Sequence, residues 1–319
     1  EISGEPDFDR VRSGTEIGRA ARCDHVVAVG GGSTIDAAKA IAMLLANGSD
    51  PLDHAEVIGA GRPITKPSLP WIAAPTTAGA GAEATRNAVL RSTEHRVKVS
   101  LRSPFMLPTV AVVDPDLTRD LPPSVTSTTG LDALSQVLEP FVSRKATPLT
   151  DALCREGLSL IGRSLLRAFR DGSDAAARAD MSLGALLGGM ALANAGLGAV
   201  HGFAAPIGGA FDAPHGAICA ALLAPVMETN LAHADDRVRA RYTEVARLLT
   251  GRDEARAQDG VAWIRALTSD LAIPPLRIYG LREQHIPDLC EKALRASSMQ
   301  GNPTRLDLTA LALILRAAL

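Results

Sequence analysis

The sequence predicts an α/β domain followed by an all-helical domain, and three observations carry that prediction. β-favouring runs alternate with helical stretches in the first part of the chain. A glycine triplet separates one such run from the helix after it, and beyond Asp114-Pro115 helical periods dominate to the end. Taken in order, residues 12–22 suit a helix, and His25-Val26-Val27-Ala28-Val29 suits a short strand stopped by Gly30-Gly31-Gly32. The next helix runs from Ser33 to Asn47, with Ser33 as its cap and Asp36 three residues on, an arrangement like a capping box. A strand, turn and helix in this sequence belong to a mostly parallel sheet. Trp71-Ile72-Ala73-Ala74, ending at Pro75, is a second strand, with Asn87–Leu90 and Val110–Val113 as others. The boundary falls near residues 115–122, giving domains of 1–117 and 118–319.

The apolar stretch Ala175–Gly198 reads as a buried helix rather than a membrane span. Arg178 and Asp180 interrupt its start, and SLGALLGGMALANAG sets small residues at helix-contact spacing. Leu183, Leu187 and Met190 recur at three- or four-residue intervals and are expected in the core.

A chain of 319 residues has room for two cores. Its 33 Lys plus Arg against 35 Asp plus Glu leave a net charge of -2, so there is no broad positive field for nucleic acid. Cys23, Cys154, Cys219 and Cys290 are far apart, which argues against a disulfide-dense scaffold and a CxxC module. EISGEPDFDR contains no signal core, and no uninterrupted apolar run spans a membrane; these features fit a soluble, cytoplasmic enzyme. Aromatics are 3% of residues and apolar residues 46%, so the core is built from aliphatic and alanine contacts.

Two loops invite a ligand. Gly31, Gly32 and Ser33 bare the backbone at a helix N-terminus, which suits either a diphosphate or a tight turn. The pattern is neither GxGxxG nor a P-loop. In Pro75-Thr76-Thr77-Ala78-Gly79-Ala80-Gly81 the hydroxyls and exposed backbone suit a ribose, carboxamide or phosphate, or a capped connection. Lys98 is positioned either to pair with an anion across that cleft or to be a surface lysine, and Arg96 is the weaker choice.

In the helical half, Asp132 and Gln136 stand at i and i+4 and share a helical face. With His201 and His215 they compose either a divalent-metal shell or a set of caps and interior hydrogen bonds. Asp212 is a further acidic candidate in a turn-like context, while His25, His54, His95, His233 and His285 read as packing or surface residues. Phe203, Ile207 and Phe211 belong either to an apolar cleft wall or to the core.

Together, CDHVVAVGGGSTIDAAKAIA, APTTAGAGAEAT, PTVAVVDPDLT, TTGLDALSQVLE, NAGLGAVHGFAAPIGGAFDAPHG and LLAPVMETN resemble the iron-containing (group III) alcohol dehydrogenase family over essentially the whole chain. The resemblance implies a dehydroquinate synthase-like fold: an N-terminal dinucleotide-binding α/β domain, N-terminally incomplete here by roughly half a domain, plus an all-helical metal and substrate domain. It implies NAD or NADP held by Gly31, Gly32, Ser33, Thr76, Thr77 and Lys98, and ferrous iron or zinc held by Asp132, His201 and His215; Asp36 is a further cofactor-binding candidate, and Gln136 is expected to assist the metal directly or through water. It also implies a homodimer acting on a small aldehyde, ketone or alcohol. Residues that set NAD against NADP preference would lie in the portion before Glu1.

Two positions point to an atypical member. DALSQ puts Gln136 where the family's DALxH has histidine, and HGFAAPIGG puts Ala205 where another is expected. The leading expectation is metal-assisted hydride transfer between a carbonyl compound and its alcohol. The alternatives are a metal-independent reductase resembling the maleylacetate reductases and an inactive nucleotide-binding module.

Overall fold

A computed structural model describes residues 4–95 and 97–319, so Arg96 lies outside the described residues. The chain has an N-terminal α/β region and a mostly helical C-terminal domain, the dehydroquinate synthase-like arrangement expected. The first helix, α1 (Phe8–Ala20), starts earlier than predicted because the Asp7 carboxylate accepts the Arg10 N–H as its cap. Strand β1 (Val26–Gly30) then leads into α2 (Gly32–Asn47), a short turn of helix α3 (Pro51–His54) and β2 (Trp71–Pro75).

A β-hairpin, β3 (Asn87–Ser92) with β4 (Val97–Arg102), precedes the two-residue β5 (Val110–Ala111). β1, β2 and β5 form a parallel sheet, with Val26 opposite Trp71 and Ile72 opposite Val110. One side of α2 sets Ile35, Ala38 and Ala42 against Trp71 and Ala73 of the sheet. The other side, through Ala37, Ala40, Met43 and Leu44, packs with α1 and the hairpin. This double contact holds the start of α2 at the carboxyl end of β1, where open α/β sheets bind ligands.

The α2 cap differs from the expectation. Gly31, not Ser33, is the N-cap, its carbonyl accepting the Thr34 and Ile35 N–H groups without a side-chain cap. Asp36 does not close a capping box, because its carboxylate accepts the Val89 N–H at 3.0 Å and lies 3.4 Å from the Lys39 ammonium. Tertiary contact with β3 takes the side chain away from its own helix end.

The helical domain comprises α4 (Pro123–Val142), α5 (Pro148–Arg170), α6 (Ala175–Ala195), α7 (Ala199–Ala210) and α8 (His215–Ala232). It continues with α9 (Asp236–Thr250), α10 (Ala257–Asp270), α11 (Ile286–Arg295) and α12 (Leu308–Ala318). α4 is buried nearly all round and packs on α5, α6, α8 and α9, so it carries polar side chains into the interior.

α6 packs through its smallest residues. A Cβ on Gly189 would come within 2.3 Å of the Gly81 carbonyl oxygen, and one on Gly184 within 2.6 Å of Ile161. Here the expectation for the large residues is reversed: Leu183 is 43% and Met190 40% exposed, and Leu187 is half-buried. Periodicity of the bulky side chains points to one face, whereas close helix approach selects the glycine and alanine face. Among the described residues no single helix is long and apolar enough to cross a membrane. α6 and α7 pass that test only as a pair, and the pair is bent by 98°.

Candidate active site

A cleft of about 1690 Å³ runs from the mouth of α2 to the ends of α4, α7 and α8. This is larger than the several hundred Å³ usual for a single small ligand. Gly31, Gly32, Ser33, Asp36, Thr77 and Lys98 line it at one end, and Asp132, Gln136, His201, Ala205 and His215 at the other.

At the α2 mouth, the N–H groups of Gly32 and Ser33 belong to the first turn, which has no earlier helical carbonyl to receive them, and both residues line the cleft. Both glycines allow loops to meet: a Cβ on Gly31 would lie 3.3 Å from Thr77 Cγ2, and one on Gly32 3.0 Å from Ala80 Cβ. Thr77 lines the cleft, while Thr76 stands behind it, donating its N–H to the Gly30 carbonyl. Lys98 is buried and donates to Glu5 at 2.7 Å, so a carboxylate of the same chain already faces its ammonium.

Beneath this mouth lies Lys39, which the sequence reading passed over. Its buried ammonium donates to the Ala82 carbonyl, Thr85 Oγ1 and the Asn87 carbonyl at 2.7–2.9 Å, tying α2 to the loop after β2. Burial pulls this lysine below its ordinary range, but three acceptors matched to three hydrogens favour the charged form.

At the other end, helix geometry puts Asp132, Gln136 and Glu139 at i, i+4 and i+7, on one buried face of α4. Asp132 Oδ1 is 3.2 Å from His201 Nε2 and 3.6 Å from His215 Nε2. Cys219, one turn after His215 on α8, brings its sulfur to 3.7 Å from His215 Nε2 and 3.8 Å from His201 Nε2. One donor atom from each of Asp132, His201, His215 and Cys219 lies within 4.8 Å of all the others.

Glu139 orients the group. One of its oxygens is 2.7 Å from His201 Nδ1, which leaves Nε2 directed at Asp132. Its other oxygen accepts the Val200 N–H at 2.7 Å, and Asn302 Oδ1 accepts that of Ala199 at 3.1 Å. α7 begins at Gly198, which offers no side-chain cap, so two distant residues cap it instead.

Electrostatics favour a cation at this centre. Burial opposes the charge on Asp132, yet His215 and His201 outweigh it and hold the carboxyl at about 2. Burial also opposes protonation of His201, but Cys219, Asp132 and Glu139 hold its pKa well above the usual imidazole value. His215 is raised against burial by Cys219 and Asp132. Gln136 Oε1 is buried without a hydrogen-bond partner, a further atom that a bound group would satisfy. The donors fit a divalent metal.

The remaining candidates stand outside the converging group, although Asp212 borders the cleft. Asp212 is fully exposed and pairs with Arg91 at 3.5 Å. His25, His54, His95, His233 and His285 lie outside the converging group. Phe203 and Ile207 are core residues, whereas Phe211 lines the cleft.

Comparison with known proteins agrees with this geometry. The model of the iron-containing alcohol dehydrogenases matches residues 1–115, and that of the Fe-containing alcohol dehydrogenase family C-terminal region matches 126–319. The chain belongs to the iron-containing alcohol dehydrogenase family. It is 36% identical to 1,3-propanediol dehydrogenase of Klebsiella pneumoniae, covering 99% of this chain and 81% of that one. It is also 36% identical to lactaldehyde reductase of Escherichia coli (strain K12), covering 93% and 78%. A crystal structure of 1,3-propanediol oxidoreductase superposes with a TM-score of 0.93 at 35% identity, covering 100% of this chain and 83% of the other. This family member is an NAD(P)-linked oxidoreductase of the alcohol/aldehyde dehydrogenase type with a candidate metal site.

The expectation of an atypical member, with Gln136 and Ala205 replacing usual histidines, is corrected. His201 and His215 are intact and converge with Asp132 and Cys219. The physical reason is that the donors come from three separate helices, so a substitution judged within one motif does not decide whether the group assembles.

Proposed function

We propose that this enzyme reversibly interconverts a small aldehyde or ketone and its alcohol, with Gly31, Gly32 and Ser33 holding the pyrophosphate of NAD or NADP. The observation that carries the reading is that the converging Asp132, His201 and His215 open onto the same cleft as the α2 mouth. In the cofactor-binding set, Asp36 and Lys39 hold the loop after β2 in place, Thr77 contributes a hydroxyl, Thr76 supports it from behind, and Lys98 contributes charge.

A ferrous or zinc ion bound at the converging group would supply Lewis-acid polarisation of the substrate oxygen, and a bound nicotinamide would supply the hydride donor or acceptor. Asp132, His201 and His215 would hold that ion, with Gln136 assisting directly or through water. Glu139 fixes the ring plane and tautomer of His201, and Phe211 gives the cleft an apolar wall. The named relatives favour short substrates of the hydroxyaldehyde and diol kind.

Domains of 1–117 and 118–319 are part of this reading. They are supported by the two family matches and by separate hydrophobic cores in the two regions. Family membership supports a homodimer, for which light scattering should give twice the chain mass. The four free cysteines suit a cytoplasmic setting.

The deciding experiment combines metal analysis of the purified protein with NADH- and NADPH-linked reduction of an aldehyde panel before and after chelation. About one metal per chain is expected, with turnover lost on chelation and regained on reloading. Full turnover in metal-free protein would overturn the metal role, and nucleotide binding without hydride transfer in either direction would overturn the enzymatic one.

A further inference from the structure

Cys219 is the member of the converging group that neither the motifs nor the family resemblance supplied. We infer that Cys219 is the fourth ligand of the metal held by Asp132, His201 and His215, and that its sulfur makes the site prefer zinc to iron. The inference rests on the metal-assisted reading above.

Distances carry it first. A tetrahedral ion with nitrogen and oxygen donors at about 2.0–2.1 Å and sulfur at about 2.3 Å sets nitrogen–oxygen pairs about 3.3 Å apart and sulfur pairs about 3.6 Å apart. The oxygen edges here are 3.2 and 3.6 Å, and the sulfur edges 3.7 and 3.8 Å. The sulfur edges are the longer ones, as the larger donor requires.

Placement carries it second. His215 and Cys219 are at i and i+4 on α8, so the helix itself aims both at one point. Glu139 holds the far nitrogen of His201, turning Nε2 toward the same point. The sulfur is fully buried, and its polar contacts are the two imidazole nitrogens. All four cysteines are free thiols, so Cys219 is not half of a disulfide.

Chemistry carries it third. Thiolate is a soft donor that favours zinc, whereas an all-nitrogen-and-oxygen set accommodates ferrous iron readily. On ligation the S–H bond breaks, the sulfur–metal bond forms and the proton leaves to solvent. The neutral amide of Gln136 is the weaker donor for the same position.

The test uses the full chain, stripped of metal and reloaded with cobalt(II) or zinc alone. Cobalt-loaded protein should show a sulfur-to-cobalt charge-transfer band in the near ultraviolet. X-ray absorption on the zinc form should give one sulfur scatterer at about 2.3 Å. Cys219→Ser should lose the band and weaken zinc binding by at least about tenfold, the lower bound for disturbing a metal's supporting shell. Zinc should also displace iron from the parent in direct competition, and this preference should shrink in the variant. Bound metal with nitrogen and oxygen scatterers only, and no charge-transfer band, would overturn the role of Cys219 and leave the metal site standing. Protein that binds neither ion yet turns over would overturn both. The spectra of the parent decide the matter even where the variant fails to fold.

Discussion

Glu139 and Glu83 show how two buried carboxylates of one chain are put to opposite uses. Glu139 has partners for both oxygens, His201 Nδ1 and the Val200 N–H, so its burial is compensated. Glu139→Gln keeps the shape but removes the charge that polarises His201. It should lower metal affinity by about 10–100-fold, read by competition with a chromophoric chelator, with far-ultraviolet circular dichroism unchanged. An unchanged affinity would reduce Glu139 to a helix cap.

Glu83 is in a different position: burial pushes its carboxyl up, and its own backbone N–H and Lys39 only partly oppose this. A raised folded-state value means the native state holds the proton more readily than the unfolded chain. Its contribution to stability is therefore present at acid pH and falls as pH rises from the ordinary carboxylate range through the raised value. Glu83→Gln, neutral at every pH, should match the parent below that window and exceed it in Tm above it. A Tm difference that does not change with pH would show that Glu83 acts through packing instead.

At the scale of elements, α6 is joined to the loop after β2 by two glycines. Gly81 has a φ of 56°, and a Cβ on it would meet the Ala185 carbonyl oxygen at 2.6 Å. Gly189 faces it with no more room. Gly189→Ala is an ordinary helix-favouring change in sequence, yet the approach to the Gly81 carbonyl makes it an overpacking mutation. It should cost about 1–3 kcal/mol by urea denaturation, whereas Ala at the exposed Met190 should change stability little. Equal effects at the two positions would place the contact face wrongly.

The same helix shows what a sequence discloses and what it withholds. Strands β1 and β2, the glycine-stopped turn and the small-residue character of α6 depend on local composition, and they were legible. The face that α6 buries depends on how near its neighbours come, so side-chain size alone puts Leu183 and Met190 on the wrong side. The Ser33–Asp36 capping box is absent for a similar reason, since the helix is capped earlier, at Gly31, and Asp36 is claimed by Val89 on a strand far along the chain. Glu139 carried a signal, being seven residues after Asp132 on an apolar helix. Lys39 and Cys219 carried little, because their partners come together only in the folded chain.

For the molecule as a whole, the cleft joins the α2 mouth on one side to a metal-type cluster on the other. The two halves are built on separate hydrophobic cores, with α2 set between two small clusters in the first and α4 and α8 in the large cluster of the second. Damage confined to the mouth should therefore leave the cluster assembled. Gly31→Asp tests this, since it adds a Cβ 3.3 Å from Thr77 and a negative charge where a pyrophosphate would sit. In the parent, NADH at about 100 times its Kd should stabilise the fold by about 2.7 kcal/mol, because ligand bound only to the native state shifts unfolding by mass action. In Gly31→Asp that stabilisation should vanish, while metal content and the cobalt spectrum stay as in the parent. If the variant keeps the full NADH-induced shift, the nucleotide is anchored somewhere other than the α2 mouth. If instead the metal is lost along with the nucleotide, the two ends of the cleft fold as one cooperative unit, and hydride donor and metal cannot be treated as independently held.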